Sequence, residues 1–156
     1  MSKNDLKLSK NHQQQIAVRK QARHYAVQAI YQWRMAGASP AAIEAEFRAD
    51  YDMTKVDEEF FHDLLTGVAG DFENLQLQLA DAIDRQVDDL DVVELALLTS
   101  GAYELAAHIE VPYKVVINEY VNLAKKFGAT DSYKYVNGVL DKLAGSLRPI
   151  EIARQS

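Results

Sequence analysis

The segment from Leu90 to Ala107 constrains this chain most. Val92, Val93, Leu95, Ala96, Leu97, Leu98, Ala102 and Leu105 are spread around all sides of a helix, with no single apolar stripe. A helix that is apolar nearly all round has to sit in the middle of a domain, covered by other elements. Its neighbours in sequence also have helical periodicity, and no alternating strand pattern competes with them.

The first helix is expected from about Val18 to Ala36, with Val18, Ala22, Tyr25, Ala26, Ala29, Ile30 and Trp33 on its core face and Gly37 ending it. Ser39 reads as an N-cap and Pro40 as a first helical residue, which opens a short second helix to about Ala49. Thr54 followed by Asp57 resembles a capping box for a third helix, with Phe60, Phe61, Leu64, Leu65 and Val68 apolar. Gly70 interrupts it, and Phe72, Leu75, Leu79 and Ile83 mark a fourth. The apolar segment makes the fifth. Pro112 starts a sixth, which ends near Phe127 with Gly128 expected as a left-handed C-cap. Thr130 or Asp131 caps a seventh, ending at Gly145. The fold class is therefore all-α, with about seven helices. Residues 18–146 are expected to form one all-helical domain, between a disordered polar and basic tail (1–17) and a loose C-terminal tail (147–156).

A chain of 156 residues is long enough for one domain with a real core. It has no cysteine, which excludes disulfides, thiolate metal sites and a cysteine nucleophile. No apolar run approaches the ~18 residues of a membrane span, and the N-terminus lacks a secretory apolar segment, so a cytoplasmic location is expected. The net charge of −6 conceals a segregation. Residues 1–35 carry seven Lys/Arg against one acid; residues 36–113 carry three against eighteen; residues 114–156 carry seven against four. A polyanion would meet the two ends and be repelled by the middle, although charge blocks are as often simply solvated faces.

No catalytic pattern emerges. His12, His24, His62 and His108 lack the spacing of a helical zinc pair, and there is no phosphate-cradling glycine loop or nucleophile elbow. Asp81, Asp84, Asp88, Asp89 and Asp91 lie close together but lack the glycine and terminal glutamate of a calcium loop. They read as a solvated helix end or a partner-facing patch. No cofactor or metal is expected, and no enzymatic activity.

The basic cluster Arg19, Lys20 and Arg23 is more specific. Arg19 and Arg23 are four apart and share a face, at what reads as the start of a helix behind a flexible basic tail. Such segments bind RNA phosphates. Cations at a helix start oppose the macrodipole, at about a few tenths of a kcal/mol each, which favours a functional reason for them. In the last helix Val136, Val139, Leu140 and Leu143 form the core stripe, leaving Asp131, Lys134, Tyr135, Gly138 and Lys142 toward the other side. A tyrosine among lysines can stack on an unpaired base, and packing of Tyr135 against a neighbouring helix is equally compatible with the pattern. Tyr31 lies off the core face with Val27 and Arg34.

These residues resemble the NusB family. Arg-Lys-x-Ala-Arg and Ala26-Val27-Gln28-Ala29-Ile30-Tyr31-Gln32-Trp33 look like its first helix. Ala102-Tyr103-Glu104-Leu105, Val111-Pro112-Tyr113-Lys114-Val115, Ile117-Asn118-Glu119, Ala124-Lys125-Lys126-Phe127-Gly128 and Tyr135-Val136-Asn137-Gly138-Val139-Leu140-Asp141-Lys142 follow in the family's order and spacing. The resemblance covers about residues 17–144. It implies two small helical bundles packed together, no enzymatic activity, and binding of boxA-type single-stranded RNA jointly with NusE, a ribosomal protein working as an elongation factor. The complex acts on RNA polymerase to suppress termination, notably in ribosomal RNA synthesis. It further implies that Arg19, Lys20 and Arg23 belong to the RNA-binding start, that Tyr31, Asp131 and Tyr135 fall on or beside the RNA surface, and that Glu94 and Tyr103 fall near the RNA and NusE surface.

Two departures bear on affinity. Relatives often carry an arginine where this chain reads Leu98-Thr99-Ser100, and Thr99 cannot replace a guanidinium. Gln21 interrupts what is often a denser arginine run. Both predict weaker RNA binding by the chain alone and more reliance on its partner. The rival readings are a protein-interaction module of a transcription or ribosome-assembly complex without direct RNA binding, and an enzyme built on the Asp81–Asp91 acids.

Overall fold

The structure, a computed structural model, describes residues 2–155. Eight α-helices and one 3₁₀ turn make up its regular structure among these residues: α1 (Lys3–Ala36), α2 (Pro40–Asp50), α3 (Glu58–Gly70), α4 (Phe72–Ala80), the turn Val87–Asp89, α5 (Val92–Ala107), α6 (Tyr113–Phe127), α7 (Ser132–Leu147) and α8 (Pro149–Gln155).

The helix expected from Val18 begins at Lys3 instead. Ser2 and Asp5 form a capping box: Ser2 Oγ accepts from the Asp5 amide at 3.1 Å, and Asp5 Oδ2 accepts from the Ser2 amide at 3.3 Å. No glycine or proline then occurs until Gly37, which closes α1 in the left-handed conformation with φ 72°. The apolar period at Val18 marks where burial starts, because the described side chains before it are exposed. One consequence is that Arg19, Lys20 and Arg23 lie in mid-helix, so the dipole penalty expected at a helix start does not arise.

Ser39 caps α2 as expected, accepting from the Ala42 amide at 3.2 Å, with Pro40 leading the helix. Asp57 rather than Thr54 caps α3, accepting from the Phe60 amide at 3.0 Å, while Thr54 is held by Asp52. Gly128 is extended (φ −84°), not left-handed; the residue with positive φ is Asp131, at 69°. Gly128 is required by space, since a Cβ there would sit 2.7 Å from the Ala124 carbonyl oxygen and 2.8 Å from Ser132 Cβ. Residues 149–155 are helical, not loose. Buried Arg148 donates to the Leu105, Val111 and His108 carbonyls at 2.6–2.9 Å, and Glu151 accepts from the Tyr113 amide at 2.9 Å. Those bonds satisfy carbonyls at the end of α5 and lash α8 to the start of α6.

Helices α1–α3 pack as one small bundle and α4–α7 as a second. Helix α5 belongs to the second and lays its other side on α1 and α3. Its run Leu95–Ala102 is buried throughout, which is the central position its composition demands.

Candidate nucleic-acid interface

The three cations of the Arg19–Arg23 cluster in α1 have three different fates. Arg23 is buried and forks onto buried Glu104, Nε to Oε1 at 2.8 Å and Nη2 to Oε2 at 2.7 Å. Burial alone would lower the Arg23 pKa, but the hydrogen bonds and charge of Glu104 raise it above its ordinary value. Glu104 also accepts from the Tyr120 hydroxyl at 3.0 Å, and that hydroxyl meets Ser100 Oγ at 2.8 Å. Burial, and then the Glu104 charge, push the Tyr120 phenol far up. Arg23 is thus a core residue, which corrects its assignment to the RNA surface. Arg19 shares its face, as the spacing requires, but that face turns inward. Both guanidiniums lie over the Phe60 ring, at 4.6 and 5.1 Å, and Arg19 sits 3.6 Å from both Asp57 and Glu110. Lys20 alone is exposed, with Nζ 3.7 Å from Glu119.

The accessible side of α1 runs instead through Lys20, His24, Gln28 and Tyr31. Lys126, near the end of α6, brings its ammonium 3.3 Å from His24 Nδ1. The His24 ring rests on Phe127, centroids 5.0 Å apart. Burial and then the Lys126 charge lower the His24 pKa, so its neutral ring accepts from the ammonium at pH 7. Lys125 in the last turn of α6 and Lys134 on α7 flank the Tyr133 ring at 5.1 and 5.9 Å, and Lys134 lies 3.3 Å from Asp131. Tyr135 is half-buried. The Arg85 guanidinium lies 4.3 Å above its ring and its hydroxyl donates to Asp84 at 3.4 Å. Burial raises the Tyr135 pKa, with Arg85 working against it. Glu94, in the first turn of α5, accepts from Ser132 Oγ at 2.8 Å and so joins the starts of α5 and α7.

Asp131, Lys134, Tyr135 and Glu94 are therefore brought together, and Tyr31 adjoins Phe127 in a shared groove. Tyr103 is not part of this surface. It lies nine residues beyond Glu94 on α5, roughly 13 Å along the axis. Its hydroxyl donates to Asp63 at 2.9 Å, and its ring fills the space beside Gly67, where a Cβ would lie 2.2 Å away. Burial, and then Asp63, raise its pKa to about 12. Thr99 is also off the surface: it is fully buried and its hydroxyl donates to the Leu95 carbonyl at 2.7 Å.

Sequence reasoning left His24, Lys126, Phe127 and Arg85 unassigned. The Lys20–His24 spacing of four and the pair Lys125-Lys126 were available signals; Arg85, a single cation in an acidic stretch, gave none. Of the acids between Asp81 and Asp91, Asp91 caps α5 through the Glu94 amide at 2.7 Å and Asp84 holds Arg85 at 3.1 Å. Among the described residues no group of three or more His, Asp or Glu side chains could hold a metal, and no helix is long and apolar enough to cross a membrane.

The profile of the NusB family matches residues 20–145. This chain belongs to the NusB family. It is 53% identical over 139 residues to the transcription antitermination protein NusB of Alcanivorax borkumensis, covering 89% of this chain and 93% of that one. Identity to the NusB protein of Teredinibacter turnerae is 55% over 136 residues, covering 86% and 92%. The solved NusB structure from T. maritima superposes with a TM-score of 0.75 at 22% identity, covering 86% of this chain and 96% of that one. That likeness shows that the two packed helical bundles are the NusB fold. The family is one of transcription antitermination factors and not of enzymes.

Proposed function

We propose that this NusB-family chain binds boxA-type single-stranded RNA jointly with NusE, within the antitermination complex on RNA polymerase, and so suppresses termination in ribosomal RNA operons. The observation that carries this reading is the side of α1 bearing Lys20, His24 and Tyr31, which Lys126 and Phe127 of α6 join at His24, with Lys134 and Tyr135 of α7 adding a further cation and ring. Exposed ammonium groups neutralise phosphates and rings stack on unpaired bases, which is how single strands are held without sequence-specific folding of the protein. Arg85 over Tyr135 adds a planar cation that can stack or fork onto a phosphate.

Two features support dependence on NusE. Arg23 is committed to Glu104 and Arg19 stands between two acids, so few guanidiniums are free for phosphate. The acidic middle of the chain also repels RNA and suits a basic partner. Glu94, in the first turn of α5, would meet such a partner beside the RNA surface, and Tyr103, at the other end of α5, would belong to a separate protein-facing patch.

The test is titration of the protein into a labelled boxA-type single strand, with and without NusE, at two salt concentrations. Binding should tighten with NusE and weaken with salt. Replacing Lys20, Lys126 and Lys134 by Ala should flatten the slope of log K against log salt by about 0.7 for each phosphate no longer neutralised. No RNA binding in either condition would leave a protein-interaction module.

A further inference from the structure

Helices α1 and α6 each pack along α5 and share little packing with one another. The contacts they make at the rim are polar or aromatic: Lys20 with Glu119 at 3.7 Å, Lys126 with His24 at 3.3 Å, and the His24 ring on Phe127 at 5.0 Å. Rim contacts between long side chains do not fix how α1 is turned, or how far it is shifted, relative to α6. The buried hydrogen bonds of Arg23, Glu104 and Tyr120 do both.

Glu104, fully buried on α5, is the common partner. Its two oxygens take the Arg23 fork of α1 at 2.8 and 2.7 Å, and Oε1 also accepts from the Tyr120 hydroxyl of α6 at 3.0 Å. One carboxylate thus joins the two helices through α5. Arg23 immediately precedes His24, and Phe127 lies about two turns beyond Tyr120, on nearly the same side of α6. Along both helices the Lys20–Glu119 contact comes before this bridge and the His24–Phe127 contact after it. Apolar packing is non-directional, and apolar side chains of similar volume often replace a buried ion pair at no loss, so stability alone does not call for charges here. What a bidentate fork adds is a fixed angle. Burial and the Glu104 charge keep the Tyr120 phenol protonated, so it remains a donor.

We propose that Glu104, with Arg23 and Tyr120, is a positioning group for RNA binding: it holds α1 in register with α6, so that the cations and rings of the two helices face the same strand. All three side chains are buried, and none touches the RNA itself. The inference rests on the RNA-binding reading above and gives Arg23 its part in that function from within the core. The affinity that the bridge contributes is bounded by the free energy with which it favours the docked register.

Glu104→Gln leaves Arg23 buried without its counter-charge and can unfold the chain. The informative variant is Tyr120→Phe, which keeps the ring and the Arg23–Glu104 fork and removes one hydroxyl. In the full chain the His24 ring is titrated by NMR, and its cross-relaxation with the Phe127 ring is recorded. Burial and the Lys126 charge lower the His24 pKa in the wild type. In Tyr120→Phe it should rise toward the ordinary histidine value, and the ring-to-ring signal should weaken. Affinity for a boxA-type single strand should fall by up to about tenfold, the worth of one hydrogen bond. Leu79→Ala, a core truncation in α4, should lower the melting temperature and leave the His24 titration, the ring contact and the RNA affinity as in wild type. A Tyr120→Phe chain that melts lower yet keeps all three at wild-type values would make the network purely structural and overturn the proposal. A shifted His24 titration with unchanged RNA affinity would also overturn it, because RNA would then not need this register. Failure of the wild-type chain to bind RNA under any condition would remove the RNA reading itself and this inference with it.

Discussion

Arg23 shows how far a single residue can depart from its local pattern. Within residues 19–23 it looks like a phosphate contact, yet its charge is spent on Glu104, 81 residues away. Removing one member of a buried pair leaves the other desolvated and unpaired, which costs about 3–5 kcal/mol. Arg23→Ala should therefore lower the melting temperature by roughly 10 °C for a domain of this size. Arg23→Lys, which cannot fork, should recover little of that. Lys20→Ala should melt as wild type and lose only RNA affinity. A thermal scan of the three variants checks this; an unchanged melt for Arg23→Ala with weakened RNA binding would place Arg23 back at the surface. The pairing was partly legible, because Glu104 stands in a helix apolar nearly all round and a buried carboxylate needs a cation. Which cation was not legible, since period and spacing define a face but not what lies against it. Tyr103 and Thr99 were opaque for the same reason: one fills the space that Gly67 leaves, the other bonds back to its own helix, and neither is written in neighbouring residues.

At the scale of elements, helix existence was readable and helix ends were less so. The end signals that held, Ser39-Pro40 and Gly37, act through their own backbone geometry. Those that failed were decided by competing partners, as when Asp52 engaged Thr54 and left Asp57 to cap α3. The N-terminal arm of α1 follows from a different confusion. Periodicity reports burial, and residues 3–17 form a helix whose described side chains are all exposed. Local propensity and one capping box sustain it, and a helix of that length without packing is marginal. Deleting residues 1–17 should accordingly leave the melting temperature within a degree or two, while the arm's amides in the intact chain exchange with solvent far faster than those of residues 22–30. Lys3, Lys7 and Lys10 leave with the arm, so the same deletion should reduce the salt slope of RNA binding if they touch phosphate. A large loss of stability on deletion would mean that the arm packs on the domain.

For the whole molecule, the decisive fact is that the two bundles share α5. The Arg23–Glu104 pair joins α1 to α5, the Tyr103 ring occupies the space beside Gly67 of α3, and Arg148 ties α7 and α8 to the end of α5. Separating the bundles would expose a buried charge pair and a helix apolar on every side, so neither bundle should persist alone and unfolding should be two-state. Trp33, the only tryptophan, reports from α1, where its ring meets Phe72 edge-on at 5.3 Å. Gly101 lies on the side of α5 that faces α7, where a Cβ would stand 2.9 Å from Leu140 Cδ2. Gly101→Ala should cost about 1–3 kcal/mol through overpacking, tempered by the freedom of the Leu140 tip. If the bundles are one cooperative unit, Trp33 fluorescence and far-UV circular dichroism will trace the same urea transition. Gly101→Ala will then move both midpoints together with an unchanged slope. A variant that shifts the dichroism and leaves the tryptophan transition in place would show two separable bundles, and the RNA strip, which draws on α1, α6 and α7, would then be assembled only when both are docked.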